Sequence, residues 1–130
     1  MFLPTNYKEK QIFKFTFKGE PKTKSNSYFA GKGKFYVRKA NKQYEDSLKR
    51  KIKNIAKKKK HEPTSKPVKV VIRYYLGSKR RKDLQNLPKT TCDAMNKIVY
   101  EDDSQIVMLV ITKHYSKINP RVEVEVSEVW

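Results

Sequence analysis

In "RKDLQN" the side chains of Asp83 and Gln85 stand two residues apart, and further on "EDDSQI" sets Glu101, Asp102 and Asp103 in a row. In an extended chain, residues two apart face the same way, so Asp83 and Gln85 present oxygen atoms to one side. Oxygen donors gathered like this suit a hard cation such as Mg²⁺, which takes one or two protein carboxylates plus water and phosphate oxygens. Without an ion, neighbouring carboxylates repel and raise one another's pKa. The same spacing also fits a loop of solvated acids paired with nearby lysines. The choice turns on whether the intervening chain draws the two segments together.

The stretch between them reads as a helix, "NLPKTTCDAMNKI". Leu87, Ala94, Met95 and Ile98 form its apolar stripe, Asn86 is its cap, and Pro88 lies in the first turn, where a missing N–H costs little. Before it, "VKVVIRYYL" (68–76) is β-branched and aromatic, with apolar residues on both faces, and is expected to be a central strand. After it, "QIVMLVITKHY" is expected to be a buried strand. A strand–helix–strand unit of this length can bring Asp83 and Asp103 to one end of a sheet.

The remaining elements follow from the same periodicities. "IFKFTFKG" alternates Phe13, Phe15 and Phe17 with Lys14, Thr16 and Lys18, as a half-buried strand does. "EPKTKSNSYFAGKGKFYV" is rich in Pro, Ser, Asn and Gly and reads as a loop with "GKG" at its tip. A helix is expected from Asn41 through "KQYEDSLKRKIKNIAKKKK", with Tyr44, Leu48, Ile52, Ile55 and Ala56 on one face and mostly lysine elsewhere. "RVEVEVSEV" alternates strictly and reads as an edge or one-sided strand. The order β, α, β, α, β, β describes one α/β (α+β) domain over residues 1–130, a small mixed sheet covered by two helices.

Charge says what such a domain would meet. The 130 residues carry 31 Lys and Arg against 13 Asp and Glu, a formal charge of +18. Residues 1–66 hold 20 basic and 5 acidic residues; residues 67–130 hold 11 and 8. Self-repulsion on this scale favours a polyanionic partner, and nucleic acid is the first candidate, through phosphate neutralisation. Two stretches interleave or concentrate the cations. "KTKSNSYFAGKGKFYVRK" carries Lys22, Lys24, Lys32, Lys34 and Arg38 among aromatics, and "KRRK" is Lys79, Arg80, Arg81 and Lys82.

The single cysteine, Cys92, permits no internal disulfide, and no Cys/His set suits zinc. His61 and His114 lie far apart and read as incidental. The start, Met1-Phe2-Leu3-Pro4, lacks the apolar run of a signal peptide, and no stretch approaches the ~20 apolar residues of a membrane span. The expectation is an intracellular, reduced protein.

Taken in order, "RRKDLQNLPKTTCDAMN…VYEDDSQI" resembles the RusA family of phage-type Holliday junction resolvases. Their signature is an Asp-x-Asp-Asn-x-x-Lys run, a helix with Asp-Ala-Leu, and an Asp-Asp pair before a strand. The matching positions are Asp83, Leu84, Gln85, Asn86 and Lys89, then Asp93, Ala94, Met95 and Asn96, then Asp102 and Asp103. The resemblance is tight over residues 80–113 and looser through the basic loop and first helix. It implies a homodimeric, Mg²⁺-dependent endonuclease that binds four-way DNA junctions and nicks two strands symmetrically, in the cytoplasm of a bacterial host and of phage or prophage origin. It further implies that Asp83 and Asp103 ligate the metal with Asp102 and Gln85 beside them. Lys89 would offset charge on the phosphate or its leaving oxygen.

Gln85 departs from the pattern, which has a second essential carboxylate there. A carboxamide oxygen can ligate a hard cation, but it removes one negative charge and cannot act as a base. Compensation by Asp102, Glu101 or Asp93, weak cutting, or a move to a purely binding role are the three outcomes, and residual or compensated activity is favoured. A lesser departure is Lys22, Lys24 and Asn26 where the family tends to carry arginines, which loses bidentate phosphate contacts but keeps charge at the two lysines. The competing reading from another class is a non-catalytic, basic nucleic-acid-binding module. Such a binder has no reason to gather Asp83, Asp102 and Asp103 near its phosphate surface.

Overall fold

Alternating apolar residues build the sheet and leave it with two unlike faces. The computed structural model describes residues 7–22, 33–78 and 87–130, with backbone only for residues 33–41. Strand β1 (Glu9–Lys18) carries Phe13 and Phe15 inward, β2 (Val68–Leu76) carries Val68, Val70, Ile72, Tyr74 and Leu76, and β4 (Arg121–Val129) carries Val122, Val124 and Val126. All are buried, and register aligns them: Ile72 opposes Val124, which opposes Phe15. Helices α1 (Gly33–Lys59) and α2 (Leu87–Met95) supply Leu48, Ile52, Leu87, Ala94 and Met95 to the same core. The result is a single α+β domain, a four-stranded mixed sheet with two helices.

The opposite sheet face is a ladder of ion pairs. The Arg73 guanidinium reaches Glu123 at 3.0 Å and Glu125 at 2.6 Å, Arg121 reaches Glu123 at 2.9 Å, and Lys69 reaches Glu9 at 2.8 Å. This explains the Glu residues that alternate with valine in β4: each faces a cation across the sheet. The two arginines hold the Glu123 carboxyl below its ordinary range, Arg121 contributing first.

Strand order is β1-β4-β2-β3, with β2 and β3 (Ile106–Tyr115) parallel and the other pairs antiparallel. β2 is central, as its apolar faces indicate. β4 is one-sided, yet it lies inside the sheet between β1 and β2 and not at an edge. The larger correction concerns β3. Its unbroken apolar run predicts burial, but it is the outer strand, and Leu109 and Val110 are 42% and 38% exposed. An apolar run reports low polarity and not how many neighbours a strand finds.

Helix α1 begins at Gly33, eight residues before Asn41, so the segment read as a loop through Val37 is partly helical. Residues 34–40 contain no proline or glycine, and a helix nucleated by the packed 44–56 face extends at one hydrogen bond per residue. It ends where Lys60 takes a left-handed conformation (φ 55°) and His61 N–H bonds Ala56 C=O at 2.8 Å. α2 stops at Met95, three residues short of Ile98, because Lys97 turns left-handed (φ 68°). The apolar faces of both helices pack into the core.

Candidate active site

The acidic turn is positioned by its own residues. Asp102 caps a single 3₁₀ turn, Asp103–Gln105: one carboxylate oxygen accepts the Ser104 N–H at 3.0 Å, and Gln105 Oε1 accepts the Asp102 N–H at 2.9 Å. This reciprocal pair is a capping box, legible in Asp102-x-x-Gln105 and missed by a reading that weighed only charge. The Gln105 amide then donates to the carbonyls of Thr64 (2.8 Å) and Lys66 (2.9 Å), which fastens the turn to the chain entering β2. Thr64 in turn donates to Glu128 at 2.6 Å. The Ser104 hydrogen bonds hold the Asp102 carboxyl below its ordinary range.

α2 approaches the turn from the other side. Its last carbonyls need partners beyond the helix. The Tyr100 hydroxyl donates to Cys92 C=O at 2.7 Å, Asn96 N–H to Asp93 C=O at 3.2 Å, and Val99 N–H to Met95 C=O at 3.0 Å. Midway along the helix, Thr91 Oγ1 and the Tyr74 hydroxyl share a hydrogen bond of 2.8 Å. Two buried tyrosines, one from β2 and one from the segment after α2, therefore set the position of the helix.

So held, α2 brings Asp93 to Asp103. The two carboxyls interact, and the Asp103 carboxyl is pushed above its ordinary range. Partial loss of hydration is the largest cause, followed by the charges of Asp102 and Asp93. Mutual repulsion of this kind is what carboxylates awaiting a cation are expected to show. Lys89, one helical turn before Asp93, is exposed and lies with Asp103 on an open groove of about 760 Å³. Cys92, Ile106, Leu109 and Ile111 make its apolar wall.

Two neighbouring carboxyls near a lysine are hard oxygen donors that fit Mg²⁺ with phosphate and water completing its shell. Among the described residues, no group of three or more His, Cys, Asp or Glu stands close enough to hold a metal. Asp83 and Gln85 lie outside the described residues, as do Lys24, Lys32, Lys79, Arg80, Arg81 and Lys82 and the side chains of Lys34 and Arg38. Lys22 is described and exposed. Asp93 is the member that the motif reading held only in reserve; its distance from Asp103 in sequence hides their contact.

Other reactive groups are accounted for. Burial pushes the Cys92 thiol up to about 11, against the hydrogen bond from Tyr100, so it is a poor nucleophile at neutral pH. His61 lies 3.0 Å from Val99 C=O and packs on Phe13, and His114 stacks on Tyr75. Along α1 the residues Lys49, Arg50, Lys51, Lys53 and Lys57 to Lys59 are exposed, a cationic flank beside the site's helix. Among the described residues no helix is long and apolar enough to cross a membrane.

Residues 18–127 match the family described as Endodeoxyribonuclease RusA. Over 110 residues, 84% of this chain and 89% of each relative, the chain is 29% identical to proteins named crossover junction endodeoxyribonuclease RusA from Escherichia coli strains K12 and UTI89. Over 47 residues it is 49% identical to the uncharacterized protein YqaN of Bacillus subtilis strain 168. That stretch covers 36% of this chain and 32% of YqaN, about a third of the relative's length.

Proposed function

Because the chain belongs to the RusA endodeoxyribonuclease family, we propose that it is a structure-selective endonuclease that binds four-way DNA junctions as a homodimer and nicks two strands symmetrically. The observation that carries this reading is Asp103, crowded by Asp93 and Asp102 and sharing one groove with Lys89, in a +18 protein. A purely binding protein gains nothing from two mutually repelling carboxyls beside its phosphate surface.

Asp83, Gln85, Asp102 and Asp103 would hold Mg²⁺, with Asp93 restoring the negative charge that Gln85 lacks. Bound there, the ion would polarise the scissile phosphate and lower the pKa of a water molecule. The chain's own residues do the rest. Gln105 and the capping box keep the Asp103 carboxylate in place, so little reorganisation is needed when phosphate arrives. Lys89 presents its ammonium group to the phosphate and offsets negative charge developing on the leaving oxygen. The lysines of α1, with Lys22, Lys24, Lys32, Lys34, Arg38 and the run Lys79, Arg80, Arg81 and Lys82, neutralise backbone phosphates and hold the junction arms.

The second reading, a non-catalytic junction- or RNA-binding module, is favoured only by Gln85, which removes one carboxylate from the motif. Both are tested by incubating the protein with a synthetic four-way junction and Mg²⁺. Paired nicks near the crossover are expected. Asp103→Asn should lose nicking by about a hundredfold or more while retaining junction binding, and Gln85→Asp should nick faster. Absence of nicking in both the natural chain and Gln85→Asp would leave the binding module.

A further inference from the structure

Between α1 and β2 the chain reads "HEPTSKP", and its middle residue, Thr64, uses every polar atom it has. Its N–H donates to Val99 C=O at 3.1 Å, and its own carbonyl accepts the Glu101 N–H (3.2 Å) and the Gln105 amide (2.8 Å). Its hydroxyl donates to Glu128 at 2.6 Å and accepts the Lys66 N–H at 3.2 Å. The rest of the segment is tied down as well. His61 Nε2 lies 3.0 Å from the same Val99 carbonyl, and Pro67 C=O accepts the Val129 N–H at 3.0 Å. Pro63 and Pro67 fix φ on either side of Thr64.

The partners of Thr64 belong to three parts of the fold. Val99 closes the end of α2, since its N–H bonds Met95 C=O at 3.0 Å. Glu101 precedes the acidic turn and Gln105 completes it. Glu128 lies on β4, inside the sheet between β1 and β2. Glu62, Ser65, Lys66 and Pro67 are exposed, so a loop that only joined helix to strand could be satisfied by water. Thr64 instead takes its bonds from both jaws of the site, and its hydroxyl refers them to an inner strand. At 2.6 Å that bond has the length of a charge-assisted O–H···O⁻ contact. Lys66, 4.0 Å from the other Glu128 oxygen and 70% exposed, makes a weak, screened contact that does not replace it.

We infer that Thr64 is a positioning residue: its hydroxyl, bonded to Glu128, sets the spacing of Asp93 and Asp103 and so how firmly the site holds a divalent cation. Asp103 lies in sequence between the two groups that lean on the Thr64 carbonyl, and Asp93 rides on the helix end that Val99 closes. Thr64 itself acts only through these neighbours. Groups that orient a metal site from behind are worth about 10- to 100-fold in metal affinity or activity. The catalytic part of the inference rests on the nuclease reading; the effect on the turn rests on the hydrogen bonds alone.

Thr64→Val tests it, because valine keeps the shape and the backbone bonds and removes only the hydroxyl. The variant should bind a four-way junction as tightly as the natural chain. It should nick about tenfold more slowly at saturating DNA and need roughly tenfold more Mg²⁺ for half its maximal rate. Thr64→Ser, which restores the hydroxyl, should recover most of both. Amide hydrogen exchange of the metal-free, DNA-free protein supplies a readout besides activity. In Thr64→Val the amides of Glu101, Ser104 and Gln105 should exchange about tenfold faster while those of β2 and the middle of β4 stay unchanged. Natural exchange at the turn, natural nicking rate and Mg²⁺ demand, or a Thr64→Ser as impaired as Thr64→Val would each overturn the inference. Should Thr64→Val fail to fold, Glu128→Ala removes the same bond from its other side and must produce the same local exchange. A natural chain that never nicks junctions would sink the nuclease reading, and the exchange measurement would still decide this one.

Discussion

Asp103 concentrates the chemistry of this protein at one carboxyl. It is crowded by Asp93 and Asp102, partly stripped of water, and fixed by a turn that Asp102 caps. Such a group is destabilising without a cation and stabilising with one, because ligand binding to the folded state adds directly to its stability. Added Mg²⁺ should therefore raise the melting temperature of the natural chain. In Asp103→Asn the melting temperature without Mg²⁺ should rise slightly, through lost repulsion, and its response to Mg²⁺ should vanish. Calorimetric titration should show affinity for the ion falling roughly tenfold or more. An undiminished Mg²⁺ response would place the ion elsewhere. Lys89 and Asp93, a helical turn apart, were both visible as motif residues, but only Lys89 had an assigned role; Asp93 acquires one through space.

At the scale of elements, α2 and the 3₁₀ turn act as two jaws whose spacing is held by hydroxyls. Tyr100 is buried at the core, and its hydroxyl satisfies a carbonyl near the end of α2 that the helix cannot. Tyr100→Phe leaves that Cys92 carbonyl unpaired in a site closed to water. It should lower the free energy of unfolding by about 1–2 kcal/mol, read from denaturant melts, and it should loosen the Asp93–Asp103 contact. A variant as stable as the natural chain would show that the helix end is satisfied otherwise. The acidic turn depends in the same way on Gln105, whose amide spans to Thr64 and Lys66. Both devices join segments distant in sequence, so local pattern could place the helix and the turn but not the bonds that set them facing each other.

For the molecule as a whole, the polar sheet face offsets some of its charge excess. Glu123 sits between Arg73 and Arg121, with its side chain 23% exposed. The two arginines lower its pKa in the folded state, so its contribution is present above the unfolded value near 4.5 and lost as pH falls through the lower folded value. Glu123→Gln should cost about 1 kcal/mol of stability at neutral pH, and the difference should disappear in acid, as thermal melts across that range would reveal. A constant difference at all pH values would mean that packing and not charge is what the substitution disturbs. The basic flank of α1 remains exposed and unneutralised by this ladder, which leaves it available to phosphates.

Period and composition, which are properties of neighbouring residues, determined much of this protein without coordinates. The alternation of Phe13, Phe15 and of Val122, Val124, Val126 specified which faces are buried, the stripes through Leu48, Ile52 and Leu87, Met95 specified two helices, and the ordered motif from Asp83 to Asp103 specified the family. Tertiary structure alone decided that β3 is an outer strand, that β4 is inside, and that Asp93 comes near Asp103. The reason is physical: a strand's period records which side faces the core, while its place in the sheet and its through-space partners depend on which surfaces meet when distant segments pack.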